Sequence, residues 1–265
     1  MSRFTDQQYL KTDQYKDSSN LDARAEIHRR FSTNTYGWFN WFFDRLLELP
    51  EDARILELGC GPAYLWKECS SRIPAGWNIT LSDLSPGMLD AAWRNLVVTG
   101  RAFKFEEMDA QSLPYDAGTF DAVIANYMLY HVPDRPQALH EINRVLKPDG
   151  SLCAATVGNN HMREITPWVN QLSKEPSLPF SVPFTLENGL GQLSPIFSKV
   201  ELIRYADGLK VIEAKPLMAY ILSNVSAKDL IESELSSVEN ELNKELKAKG
   251  EILITKDVGM FEAIK

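Results

Sequence analysis

A glycine turn between a short apolar run and a helix is the feature that most restricts how this chain folds. Arg54-Ile55-Leu56-Glu57-Leu58 runs directly into Gly59-Cys60-Gly61-Pro62, and a helical stretch follows to about residue 71. Glycine lets backbone approach a ligand closely, and a helix N-terminus offers unpaired N–H groups. The same alternation continues downstream. Residues 77–81 read as a second strand followed by a helix over 86–98, and 102–106 as a third strand. Residues 120–125 read as a fourth strand with a helix over 135–147. The turn Lys147-Pro148-Asp149-Gly150 then leads into a fifth strand over 151–157. Alternation of this kind predicts a parallel sheet with helices on both faces.

The flanks differ from this centre. Residues 21–49 carry apolar and aromatic positions at helical spacing, among them Phe31, Trp38, Phe39, Trp41, Phe42 and Phe43. The five rings from 38 to 43 lack strict periodicity, so one helix face cannot bury them all. Some are expected to face a pocket, with Trp168 a partner across it. Beyond the fifth strand, Pro167, Pro176, Pro179, Pro183 and Pro195 interrupt the pattern. Strands are expected over 199–205 and 259–265. An amphipathic helix is expected over 227–249, with Leu230, Leu235, Val238, Leu242 and Leu246 on one face.

Acidic residues follow the successive strands. Asp83 lies 22 positions past Gly61, at the end of the second strand, where a carboxylate can take both hydroxyls of a ribose. Asp109 follows the third strand, where it can accept from an adenine amino group. Singly, each reads equally as a cap or a solvated loop residue. Together with the glycine turn they describe a nucleoside-sized crevice at the carboxyl edge of a parallel sheet. A dinucleotide fingerprint would place a third glycine at position 64, which here is Tyr64. That disfavours a pyrophosphate ligand and an NAD-dependent oxidoreductase.

Five ordered segments resemble the motifs of class I S-adenosylmethionine-dependent methyltransferases. They are Ile55–Pro62, Leu81–Leu89, Met108–Pro114, Phe120–Asn126 and Arg144–Leu152. The match covers about residues 53–157 and resembles the branch holding ubiquinone-biosynthesis-type and natural-product enzymes. The resemblance implies a Rossmann-like, doubly wound, mostly parallel seven-stranded α/β sheet. It also implies a helical cap over residues 1–50 and a methyltransferase domain over 51–265, with helical lid elements at about 160–195 and 213–249. Backbone at Glu57, Gly59 and Gly61 is expected to hold the methionine part of S-adenosyl-L-methionine, whose product is S-adenosyl-L-homocysteine. Asp83 is expected on the ribose, Leu84 and Met88 against the adenine, and Asp109 and Ala110 at the adenine edge. Asn126 and Tyr127 are expected at the sulfonium end, with Tyr15, Lys16 and Arg30 closing over it from the N-terminal segment.

Methyl transfer from a sulfonium needs an aligned acceptor and exclusion of water, and needs a base only when the acceptor must lose a proton. His131 and Tyr127 are the candidate catalytic groups. For His131 the role of ordering its loop is the favoured one, and His28 and His161 are read as surface residues. His140-Glu141 begins like a zinc-protease helix, but position 144 is arginine, so no metal is expected. With 28 basic against 36 acidic residues and a net charge of -8, no basic patch suits a nucleic acid. Asn126-Tyr127-Met128-Leu129 also lacks the Asn-Pro-Pro-aromatic signature of base methylation. The N-terminal ten residues lack a secretory core, and no run approaches the roughly 18 apolar residues of a membrane span. Three widely spaced cysteines read as reduced thiols in the cytoplasm. The expected acceptor is a small apolar or aromatic molecule, methylated on O, N or C by a monomer or homodimer. A non-catalytic cofactor-binding regulator is the alternative.

Overall fold

The computed structural model describes residues 5–173, 182–225 and 230–265. Seven strands form one sheet: β1 (Arg54–Leu58), β2 (Asn78–Asp83), β3 (Lys104–Glu107), β4 (Phe120–Asn126), β5 (Leu146–Val157), β6 (Lys199–Val211) and β7 (Ile252–Ile264). Their order is β3-β2-β1-β4-β5-β7-β6. The first five pair in parallel, and β7 runs antiparallel between β5 and β6. The Rossmann-like, mostly parallel seven-stranded sheet implied by the motifs is therefore present.

Period-two alternation decides which side each strand residue packs on. Leu56, Val123, Leu152 and Ala154 join α6 (Arg135–Val145) in one core. Their neighbours Ile55, Ile124, Cys153 and Ala155 join α3 (Trp38–Leu46) and α5 (Pro86–Leu96) in the other. Ser85 starts α5 by accepting from the Met88 N–H, with Pro86 at its first position. Asp134 caps α6 in the same way through Gln137.

Several elements depart from the sequence reading. The helix expected up to residue 71 is only α4 (Tyr64–Glu68) followed by a 3-10 turn. The turn at 147–150 is absorbed into β5 as an irregularity opposite Phe120–Ala122, with Asp149 at φ +61°. β6 runs past its expected end at 205 and β7 begins before its expected start at 259, the two pairing from Lys199↔Ile264 to Val211↔Ile252. The outer half of this ribbon leaves the sheet and supports a separate core. There Leu209, Val211, Ile252 and Ile254 meet α2 (Ser19–Phe31), α7 (Thr166–Leu172), α9 (Ala214–Leu222) and α10 (Glu232–Lys249), whereas the short α8 (Gly189–Leu193) packs Leu193 into the core of α6. Residue 227, the expected start of α10, lies outside the described residues, as do Pro176 and Pro179 of the lid segment. Val238 and Leu242 are buried in this core and Leu230, Leu235 and Leu246 pack at its edge, which is the face the heptad-like spacing marks out.

Of the first 50 residues, α2 belongs to this cap core whereas α3 packs its Phe42, Phe43 and Leu46 onto the sheet. Trp168 lies in the cap core, not opposite the rings at 38–43, because α7 turns it inward beside Val169 and Leu172. Ahead of α2, a short turn α1 (Gln7–Tyr9) and a π-type turn at Leu10–Gln14 lead the chain across the carboxyl ends of the strands. Among the described residues, no helix is long and apolar enough to cross a membrane.

Candidate active site

A single cavity of about 1440 Å³ opens at the carboxyl edge of β1, β2 and β4, between the sheet and the cap. Ligand pockets usually measure roughly 300–1,000 Å³, so this one has room for two occupants side by side. The glycine turn forms its floor. Gly59 and Gly61 both take positive φ, +63° and +52°, and Ala63 is left-handed as α4 begins. Asp83 ties this turn down: its carboxylate accepts from the Gly61 N–H at 3.0 Å and the Ser85 N–H at 2.9 Å. Burial pushes its pKa up to about 6 against those hydrogen bonds.

Glu57 is buried beneath the turn and accepts from the Trp66 indole N–H at 2.5 Å. Burial drives its pKa up to about 8, opposed by the indole and assisted by the charge of Asp83. Asp109 lies at the far edge. Burial raises its pKa, but bonds from the Gln111 N–H and side chain and from Gln7 bring the carboxyl below its usual range. Leu84, Met88, Ala110, Asn126 and Tyr127 line the same cavity, so the expected cofactor residues are brought together. Tyr127 takes φ +59°, a costly conformation for an aromatic residue that turns the chain sharply at the end of β4.

The N-terminal segment straps this crevice from above. Gln7 Nε2 donates to Asp109 at 2.9 Å, Lys11 pairs with Glu107, and Ser85 Oγ donates to the Tyr15 carbonyl at 2.7 Å. The Tyr15 hydroxyl meets His131 Nε2 at 2.9 Å. This contact ties the loop that carries His131 to the N-terminal segment. Lys16 contributes backbone: a Cβ at Gly87 would stand 1.9 Å from its carbonyl oxygen. Gly87→Ala is therefore expected to lift the strap off α5 while leaving the sheet intact. Losing the two neutral hydrogen bonds at Tyr15, at about 0.5–1.5 kcal/mol each, should expose Lys11 and Lys16 to trypsin in the variant well before the wild type. Equal cleavage rates would show that the strap is held some other way.

Arg30 lines the cavity, but its guanidinium is ion-paired with Glu213. The basic group that sequence reading missed is Arg24, six residues earlier on α2. Its guanidinium donates to Ser223 Oγ at 3.0 Å and to the Ser223 carbonyl at 2.8 Å. It is half-buried beside Tyr15, Tyr130 and Tyr220, and no carboxylate among the described residues pairs with it. The signal was the spacing of Leu21, Arg24 and His28, which share one face of α2. Leu21 places that face over the glycine turn, 3.4 Å from where a Gly61 Cβ would stand. Asn126 Oδ1 is likewise buried in the cavity without a hydrogen-bond partner. His28 and His161, expected on the surface, line the cavity instead, because the β6–β7 ribbon folds the cap over them.

Residues 56–154 match the family described as "Methyltransferase domain". The chain carries a class I S-adenosylmethionine-dependent methyltransferase domain. The domain is 34% identical over 133 residues to a malonyl-[acyl-carrier protein] O-methyltransferase of Legionella pneumophila, covering 48% of this chain and 44% of that protein. It is 30% identical over 154 residues to the mouse protein arginine-hydroxylase NDUFAF5, mitochondrial, covering 57% and 43% respectively. The chain thus spans less than half the length of either relative in these matches. In fold it is similar to Haemonchus contortus phosphoethanolamine N-methyltransferase 2, solved in complex with S-adenosyl-L-methionine. That likeness has a TM-score of 0.60 at 18% identity and covers all of this chain and 60% of that one. All five motif segments of the methyltransferase domain fall within or at the edges of the matched residues.

Proposed function

We propose that this chain binds S-adenosylmethionine in the strap-covered crevice and transfers its methyl group to a small organic acceptor held under the cap. One observation carries the reading: a carboxylate, an unpaired buried acceptor and a half-buried cation without an acidic partner among the described residues line one cavity. Asp83 suits a ribose diol. Asn126 Oδ1 suits the ammonium of an α-amino acid, and Arg24 suits its carboxylate, since a buried polar group left unpaired is costly. Leu84 and Met88 would pack on the adenine, with Asp109 and Ala110 at its edge and the Glu57–Gly61 backbone along the methionine chain.

When bound, the cofactor supplies an electrophilic methyl group on sulfur. The chain's own residues align and enclose: the strap covers one end and the aromatic wall of Trp38, Tyr127 and Tyr130 covers the other. Alignment of this kind is worth roughly 7–11 kcal/mol. The size of the cavity favours a two-substrate enzyme over a non-catalytic cofactor-binding regulator. All three cysteines are free and buried, which suits a reducing, cytoplasmic setting. Thermal unfolding with S-adenosylhomocysteine or NAD tests the reading. Stabilisation by the former alone is expected, and stabilisation by NAD alone would overturn it in favour of an oxidoreductase.

A further inference from the structure

The cap side of the cavity contains a histidine that cofactor binding leaves unused. His28 stands on α2 one turn beyond Arg24, its ring edge-on to Tyr220 at 5.8 Å. Its Nδ1 is buried with no hydrogen-bond partner, which leaves Nε2 as the nitrogen facing the cavity. Among the described residues neither nitrogen is engaged, whereas His131 is bonded to the Tyr15 hydroxyl. In the lining of the same cavity, the Trp38 indole N–H is a buried donor without an acceptor. Trp38 stacks at a tilt on Tyr127, 5.2 Å between ring centres, so the cavity that His28 lines also has a flat, apolar wall carrying one unsatisfied donor.

The charges around this wall select against a cationic acceptor. Lys256 is ion-paired with Asp207 in a buried couple, the two side chains 6% and 0% exposed. Asp207 is further occupied by Ser32, Thr33 and the Asn34 N–H. The carboxylates lining the cap side are also engaged: Glu26 by Arg29 and Arg30, and Asp22 by Tyr64 and Ser18. An ammonium entering here would find no counter-charge and would face a sulfonium.

We propose that the acceptor is a neutral aromatic hydroxyl compound, a phenol, and that His28 is the catalytic base that takes its proton. This rests on the cofactor reading above. The phenol oxygen accepts from Trp38 Nε1 and directs its O–H to His28 Nε2. An oxygen lone pair forms the new O–CH3 bond, the S–CH3 bond breaks with its electron pair returning to sulfur, and the hydroxyl proton passes to Nε2. The positive charge lost at sulfur reappears on the imidazolium. Burial, then Lys256 and His161, hold the free imidazole well below its ordinary range, with Asp207 opposing and Arg24 adding to them. His28 is therefore neutral at physiological pH, and loss of the sulfonium charge makes it a better proton acceptor as the transfer proceeds.

The test uses the full chain with 2-naphthol, naphthalene and benzylamine as probes. With S-adenosylhomocysteine bound, 2-naphthol should raise the melting temperature more than naphthalene, and benzylamine should not raise it. With S-adenosylmethionine, 2-naphthol should be methylated at a rate nearly independent of pH above neutrality. His28→Gln should lower kcat for 2-naphthol about 10²-fold. Its remaining rate should climb about tenfold per pH unit as the naphtholate forms. It should still methylate 4-nitrophenol, already ionised at mildly alkaline pH, near the wild-type rate, which also shows that the variant is folded. Failure of S-adenosylhomocysteine to bind would remove the cofactor reading itself. Binding of S-adenosylhomocysteine with benzylamine preferred to 2-naphthol, or a His28→Gln variant as fast as wild type on 2-naphthol, would overturn this proposal alone.

Discussion

Asp83→Ala is expected to weaken S-adenosylhomocysteine binding at least about 100-fold. Two charge-assisted hydrogen bonds to a ribose diol are worth about 1.5–3 kcal/mol each. The same carboxylate organises the floor of the site through the Gly61 and Ser85 N–H groups, so the substitution also leaves two donors unpaired. Isothermal titration against the wild type measures the change, and a loss of less than about fivefold would remove Asp83 from the ribose. The pH dependence has a definite sign. Only the ionised carboxylate can accept from both hydroxyls, and burial raises its pKa to about 6 in the ligand-free protein. Affinity should be level above that value and fall towards about tenfold per unit below it. Asp83→Asn should be weak at every pH and lack this slope.

Gly59→Ala is expected to have the second largest effect, and for two separate reasons. The residue sits at φ +63°, where an L side chain is strained, and its Cβ would stand 2.7 Å from Met128 Cβ. Met128 follows Tyr127, whose backbone is already in a left-handed conformation, so the turn after β4 has little freedom to retreat. The expected result is loss of cofactor binding together with a melting temperature lowered by several degrees, as follows from about 2–3 kcal/mol of strain and overpacking. Gly61→Ala is the internal control. It shares the positive φ, but its nearest neighbour would be the flexible end of Leu21 at 3.4 Å. It should be the milder of the two, and equal damage would mean that backbone strain, not the contact with Met128, governs this turn.

The sheet was legible because its information is local. Strand and helix periods, the Ser85-Pro86 and Asp134 helix starts and the glycine turn each act over a few residues. Parallel strands connected in this way have few topologies open to them. Asp83 and Asp109 could be placed for the same reason: the end of a parallel strand is a fixed address at the rim of the crevice. The positions of His28, Arg24 and Trp38 were not legible. Each is one polar group on an otherwise ordinary amphipathic helix, and its meaning depends on what folds over it.

By itself the sequence determined the methyltransferase sheet, the glycine turn of the opening motif and the acids that face it. Tertiary structure alone decided how the two ends of the chain meet. The β6–β7 ribbon extends past the sheet, pairs Leu209 with Ser32 and gathers α2, α7, α9 and α10 into one core. Only that long-range packing turns His28 inward, leaves Arg24 without a carboxylate and brings Gln7 to Asp109, 102 residues away. Contacts between residues so far apart depend on burial and complementarity of whole surfaces, which leave no periodic mark along the chain.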